Sequence, residues 1–177
     1  MDAGSTEGTG KEAATAKLSE DGVQEINQDM ETTVDELIRQ FEDTLSEEGY
    51  HGLHVSQEVV TDNAQYYTVK LSALETEASG YEHNQFYTID KQTGNVVALA
   101  DLFAEGSDYI SVISENIKTQ MREQMVADEG VIYFLDDEDM PEFNFQSITE
   151  QTNFYFNESG ELVIAFDEYE VAPGYMG

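Results

Sequence analysis

Residues 153–171, NFYFNESGELVIAFDEYEV, hold the most β-favouring runs of the chain on either side of Asn157-Glu158-Ser159-Gly160. Aromatic and β-branched residues suit a pleated, half-buried surface, and a polar group of four ending in Gly is a turn signal, so the stretch predicts a hairpin. Just upstream, 131–145 (VIYFLDDEDMPEFNF) reads as a short apolar strand that runs into the acidic segment Asp136 to Asp139 and Pro141. Downstream, APGYMG at 172–177 reads as a further turn. Before these lies a helical pattern: after Gly106-Ser107, the residues Tyr109, Ile110, Ile113, Ile117, Met121 and Met125 recur on one face, with Ser107 or Asp108 to cap it.

Further out, LADLF (99–103) predicts one helical turn, and NQFYTIDKQTGNVVAL (84–99) a strand, a tight turn at 92–95 and a second strand. GLHVSQEVVTD (52–62) and QYYTVKLSALETEA (65–78) alternate as strands and are separated by Asp62-Asn63, a hairpin signal. ASGYEH (78–83) reads as a polar, aromatic loop. At the start, Val23, Ile26, Met30, Val34, Leu37, Ile38, Phe41 and Leu45 recur at threes and fours. Ser19 or Asp21 suits the beginning of that helix and Gly49 its end. Several hairpin-connected strands with two amphipathic helices define an α+β fold, the helices packed on a mainly antiparallel sheet. Residues 1–18 are too polar to order and read as a flexible tether; 19–177 read as one domain, with a helix and hairpin region at 19–85 and a strand, helix and hairpin region at 86–177.

Composition narrows the function. Seven Lys and Arg stand against 38 Asp and Glu, a formal net charge of -31. Phosphate backbones are held by Lys and Arg, so a nucleic-acid partner is excluded, and an anionic membrane surface is disfavoured. Arg122 is the last basic residue, and the 55 residues after it hold 14 acids. A field of one sign attracts a cationic partner. Cysteine is absent, which removes disulfides and thiolate chemistry. No apolar run approaches the ~20 residues of a membrane span, so for a surface protein the anchor is expected outside this sequence.

The sequence offers little for catalysis. His51 and His54 fall on opposite faces of a strand, and with His83 they lack the spacing of a zinc site. Asp136-Asp137-Glu138-Asp139 lacks the alternating ligands and turn glycine of a calcium loop. There is no Gly-x-Ser-x-Gly elbow and no glycine-rich phosphate loop. The expectation is a binding protein without metal or cofactor, not an enzyme.

FYTIDKQTGNVVALADLF (86–103), the helix after it, and above all NFYFNESGELVIAFDEYEVAPGYMG (153–177) resemble a domain family of Gram-positive bacterial surface proteins. The helix and hairpin of 20–80 resemble the companion region that precedes it. The family includes ectodomains of lysozyme-sensing anti-sigma factors and the non-catalytic part of some peptidoglycan deacetylases. Deacetylase relatives often carry a Gly-Gly-Ala-His-Gly loop where this chain has Ser79-Gly80-Tyr81-Glu82-His83-Asn84, a departure that favours the anti-sigma branch. The resemblance implies a receptor on the extracellular face of the membrane. A sigma factor is held inside, one membrane helix follows, and the outer domain binds lysozyme, exposing a stalk to signal peptidase before intramembrane proteolysis. Ala14-Thr15-Ala16 has the small-x-small form of a signal peptidase site. Carried over by position, the partner-binding residues are Ser79, Gly80, Tyr81 and His83 together with Pro173, Gly174, Tyr175 and Met176. Tyr175 is the expected anchor, projecting with Met176 from a turn fixed by Pro173 and Gly174 into the lysozyme cleft and so inhibiting the enzyme. The alternative is a peptidoglycan-binding module of a cell-wall deacetylase.

Overall fold

The computed structural model describes residues 20–44, 51–76, 80–138 and 140–176. The order is α1 (Glu20–Thr44), β1 (Gly52–Asp62), β2 (Tyr66–Thr76), β3 (Gly80–Asp90), a 3-10 turn (Leu99–Leu102), α2 (Tyr109–Ala127), a 3-10 turn (Pro141–Phe143), β4 (Phe154–Phe156), β5 (Leu162–Ile164) and a last 3-10 turn (Gly174–Met176). The fold is α+β. Its strands form two antiparallel sheets, the meander β1-β2-β3 and the hairpin β4-β5.

Each sheet has its own core. On the meander, α1 sets Ile26 and Met30 against Leu71, Tyr87 and Ile89. Val23 and Val34 of the α1 stripe pack beside them, while Ile38 is exposed. The second core gathers Leu99, Met121, Leu135, Phe145, Ile148, Phe154, Phe156 and Val171, with Tyr109, Ile110, Ile113, Ile117 and Met125 of α2 packed against it. The helical spacing of α2 therefore named its inward face. Buried Ser114 donates to the Ile110 carbonyl at 2.6 Å and accepts the Ile148 amide at 3.0 Å. The two cores meet where Tyr66 stacks on Phe156 at 4.1 Å and the Thr61 hydroxyl donates to the Phe156 carbonyl at 2.6 Å.

The turns follow their side chains. Asn63 Oδ1 accepts the amides of Gln65 at 2.9 Å and Tyr66 at 2.7 Å, closing the β1-β2 hairpin where Asp62-Asn63 signalled it. Asn157 does the same for β4-β5, accepting Ser159 and Glu161 amides while Gly160 takes φ 79°.

Three expectations fail, each because a partner remote in sequence decides the backbone. ASGYEH is not a loop at its C-terminal end: Gly80, Tyr81, Glu82 and His83 belong to β3, paired with β2 from Thr76↔Gly80 onward. The second strand expected after the turn at 92–95 reduces to a single bridge, Ile89↔Val96. The turn begins earlier, with Asp90 accepting the Gln92 and Thr93 amides. The chain then leaves the sheet because Asp101 captures the Ala98 amide and Leu99 is drawn into the second core. Residues 131–135 form no strand. Phe134 donates to Val171 and accepts from Phe145, and a tight bond from the Leu135 amide to the Tyr133 carbonyl bends the chain between them. The tether, residues 1–18, lies outside the described residues.

Two predictions arise here. Ile89 is 2% exposed, and Ile89→Ala should lower unfolding stability by about 2–5 kcal/mol, read as a shifted urea midpoint. Arg122 grips Asp136 through Nε at 2.8 Å and Nη2 at 3.2 Å. The hydrogen bond from Arg122 holds the Asp136 carboxyl below its ordinary value. A lowered carboxyl stabilises above its unfolded value and ceases to do so as pH falls through the folded one. Titration of wild type against Arg122→Gln by NMR should therefore show Asp136 protonating at higher pH in the variant.

Candidate functional site

β3 is an edge strand, and an edge leaves a row of amides in need of acceptors. The acceptors come from side chains far along the chain. The Glu82 amide donates to Glu168 Oε2 at 3.1 Å, the Asn84 amide to Asp167 Oδ1 at 2.8 Å, and the Phe86 amide to Asn153 Oδ1 at 3.2 Å. Asn153 Nδ2 returns a bond to the Asn84 carbonyl at 2.7 Å. Spacing by two picks out the amides on one edge, so the segment around 167 is laced to β3 without pairing as a strand. His83 Nδ1 meets the other oxygen of Asp167.

A tight turn follows. Glu170 Oε2 accepts the Asp167 amide at 2.9 Å, the Glu170 amide donates to the Asp167 carbonyl at 3.2 Å, and Tyr169 between them takes φ 65°. A non-glycine residue there is strained, and such strain persists only where surroundings hold it. Its ring faces Tyr81 with centroids 6.4 Å apart and planes at 23°. On another side it presses on Gly174: a Cβ at that position would sit 2.3 Å from Tyr169 Cζ. Val171 is buried in the second core and ties the chain down just before the final turn. That turn closes with the Met176 amide on the Pro173 carbonyl at 2.9 Å. Tyr175 is 73% exposed. Met176 and Pro173 are half-buried, so of the expected pair only Tyr175 projects.

Two regions singled out separately in the sequence are thus brought to one place. Tyr81 and His83 on β3 reach Gly174 and Tyr175 through Tyr169 and Asp167. Ser79, Ala14 and Ala16 lie outside the described residues. Tyr169, Asp167 and Glu168 join this cluster although they were not singled out in the sequence; they lie in, or just before, the Glu-Tyr-Glu-Val-Ala-Pro-Gly-Tyr segment. The surroundings are acidic. Burial, and then Asp167, Glu170, Glu168 and Glu75, raise the Tyr81 hydroxyl above the ordinary phenol value, which keeps it a donor. Elsewhere Lys70, Lys91, Lys118 and Arg122 each face a carboxylate, so those cations are spent away from this patch. His54 is exposed on β1, and among the described residues no group of three His, Asp or Glu is placed to hold a metal. In the acidic segment, Asp136 is taken by Arg122 and Asp137 accepts the Met140 amide.

Residues 100–177, which include the segment laced to β3 and the final turn, match the family described as Protein of unknown function (DUF3298). Two solved DUF3298 proteins share the fold. One from Pseudomonas aeruginosa is 19% identical with a TM-score of 0.57, over 80% of this chain and 61% of that one. One from Bacteroides fragilis is 17% identical with a TM-score of 0.50, over 88% and 60%. Among curated proteins the chain is similar to anti-sigma-V factor RsiV of Bacillus subtilis strain 168, 38% identical over 161 residues, 85% of this chain and 55% of RsiV. The chain is thus similar to RsiV over most of its own length and to the DUF3298 family over residues 100–177, and it spans about half the length of RsiV.

Proposed function

We propose that this chain is the extracytoplasmic receptor part of an anti-sigma factor, that residues 19–177 act as one unit on a tether, and that Tyr81, Tyr169 and Tyr175 are where it holds lysozyme. The observation that carries the reading is Tyr175: a ring 73% exposed, on a turn whose glycine is pressed against Tyr169, which in turn faces Tyr81 beside Asp167, Glu168 and Glu170. A rigidly presented aromatic loses little entropy on capture and fits a concave site, so it anchors. The charge of -31 supplies encounter, speeding association with a basic protein by ~10 to 10³-fold at low salt. RsiV supplies the class by its name, an anti-sigma factor. Lysozyme capture at the outer face would expose the stalk to signal peptidase, and intramembrane proteolysis would then release a sigma factor. The same capture would block the lysozyme cleft. No helix among the described residues is long and apolar enough to cross a membrane.

A salt series tests the reading. Mixed with an animal-type lysozyme, the chain should form a one-to-one complex whose association slows as salt rises but which persists at physiological ionic strength, where the screening length is about 8 Å. Absence of a complex at low salt, or its disappearance by physiological salt, overturns the proposal.

A further inference from the structure

Beside the tyrosine cluster runs a groove of about 720 Å³, walled by β3, by residues 143–153 and by 165–170. Sites that take small organic ligands span roughly 300–1,000 Å³, so this one is large enough for more than one sugar ring. Its lining is unusual for a protein surface. Three aromatic rings stand exposed on it, Tyr81 at 41%, Phe143 at 58% and Tyr169 at 56%. The same groove is lined by Gln85, Ser147 and Gln151, whose side chains have no hydrogen-bond partner among the described residues. The neighbouring amides and carboxylates, in contrast, are engaged. Asn153 and Asp167 hold β3, and Thr149 and Thr152 bond each other.

We infer that this groove is a binding site for an uncharged or amine-bearing oligosaccharide. A pyranose ring has C–H faces that stack on aromatic rings and equatorial hydroxyls that pair with amides, each of which offers donors and an acceptor together. Exposed rings, with unpaired amides and a hydroxyl on the same groove, provide both. An apolar peptide or lipid would leave the amides unsatisfied when it covered them, at about 1–3 kcal/mol each. Asp167, Glu168 and Glu170 on the same wall set the charge of the ligand: uronates and phosphate-bearing glycans are repelled, whereas N-acetylhexosamines or free amino sugars are accepted. The site stands independently of lysozyme capture, although the two share Tyr81 and Tyr169. Phe143 and Gln151 belong to the groove alone.

Isothermal titration of the whole chain with N-acetylglucosamine oligomers, with their deacetylated counterparts and with oligogalacturonate tests this. Saturable binding is expected of the first or second and not of the third. Phe143→Ala and Gln151→Ala should each weaken it by about ten-fold, and Val126→Ala, on the exposed end of α2, should leave it unchanged. Both residues are exposed, so unfolding is not expected to confuse the result, and unchanged circular dichroism spectra would verify that. No binding of either amino-sugar oligomer, equal binding of the uronate, or indifference to both groove variants overturns the inference. A chain that captures lysozyme but no oligosaccharide sinks this site alone; one that does the reverse sinks the receptor reading alone.

Discussion

Tyr175→Ala is expected to weaken lysozyme capture by more than ~10-fold while leaving the protein as stable as before. The ring makes little contact within its own chain, being 73% exposed, so its removal opens no cavity. In a complex it would lose most of that exposure. An aromatic side chain buries about 150–250 Å², and at about 25 cal/mol/Å² half of that area exceeds the ~1.4 kcal/mol that a ten-fold change in affinity requires. Tyr175→Phe should retain most of the affinity, since shape and area rather than the hydroxyl do the anchoring. Surface plasmon resonance would place the Tyr175→Ala loss in faster dissociation, because association is set by the overall charge, which the substitution leaves alone. Unaltered affinity would remove Tyr175 from the site.

Gly174→Ala is the second, and its effect is transmitted. The new methyl would lie 2.3 Å from Tyr169 Cζ and 2.5 Å from its hydroxyl oxygen, far inside the 3.5–4.0 Å at which carbon atoms attract. The Tyr169 ring, 56% exposed, is the part that can yield, and it does so by swinging out because its backbone is held. Its backbone is in the left-handed region, and the turn that holds it is fixed by Glu170 on the Asp167 amide and by Asp167 on β3. The ring must leave its place opposite Tyr81, or the final turn must lift. We expect capture to fall at least ~10-fold because the displaced ring no longer faces Tyr81, with stability dropping by no more than about 1 kcal/mol because the ring that moves is exposed. Ring resonances of Tyr81 and Tyr169 should both move in NMR spectra of the variant. If they stay and binding is intact, then the three tyrosines do not form one surface.

How far the site was readable follows from the range of the forces that build it. The inward face of α2, from Tyr109 to Met125, and the β4-β5 turn at Asn157 to Gly160 were legible because residues three, four or two apart settle them. Tyr81 and Tyr175 were found only through resemblance. Nothing local marks them, and Tyr169 between them was invisible, since its positive φ is imposed by the turn and not favoured by its own side chain. Gly80 to His83 were read as loop because their polar, aromatic composition suits one; β2 makes them strand by offering a paired backbone to Gly80 from Thr76.

By itself the sequence determined the α+β class, the two helices, the hairpin turns at Asn63 and Asn157 and the strong net negative charge. These depend on composition and on contacts within a turn or two of chain. Only the tertiary structure decided that β3 is an edge, that Asp167 and Glu168 satisfy its amides across more than eighty residues of sequence, and that Tyr81, Tyr169 and Gly174 are therefore neighbours. The physical reason is that an unpaired edge amide needs an acceptor but does not specify which one. The choice is made by where the second core, through Val171 and Phe154, delivers the end of the chain.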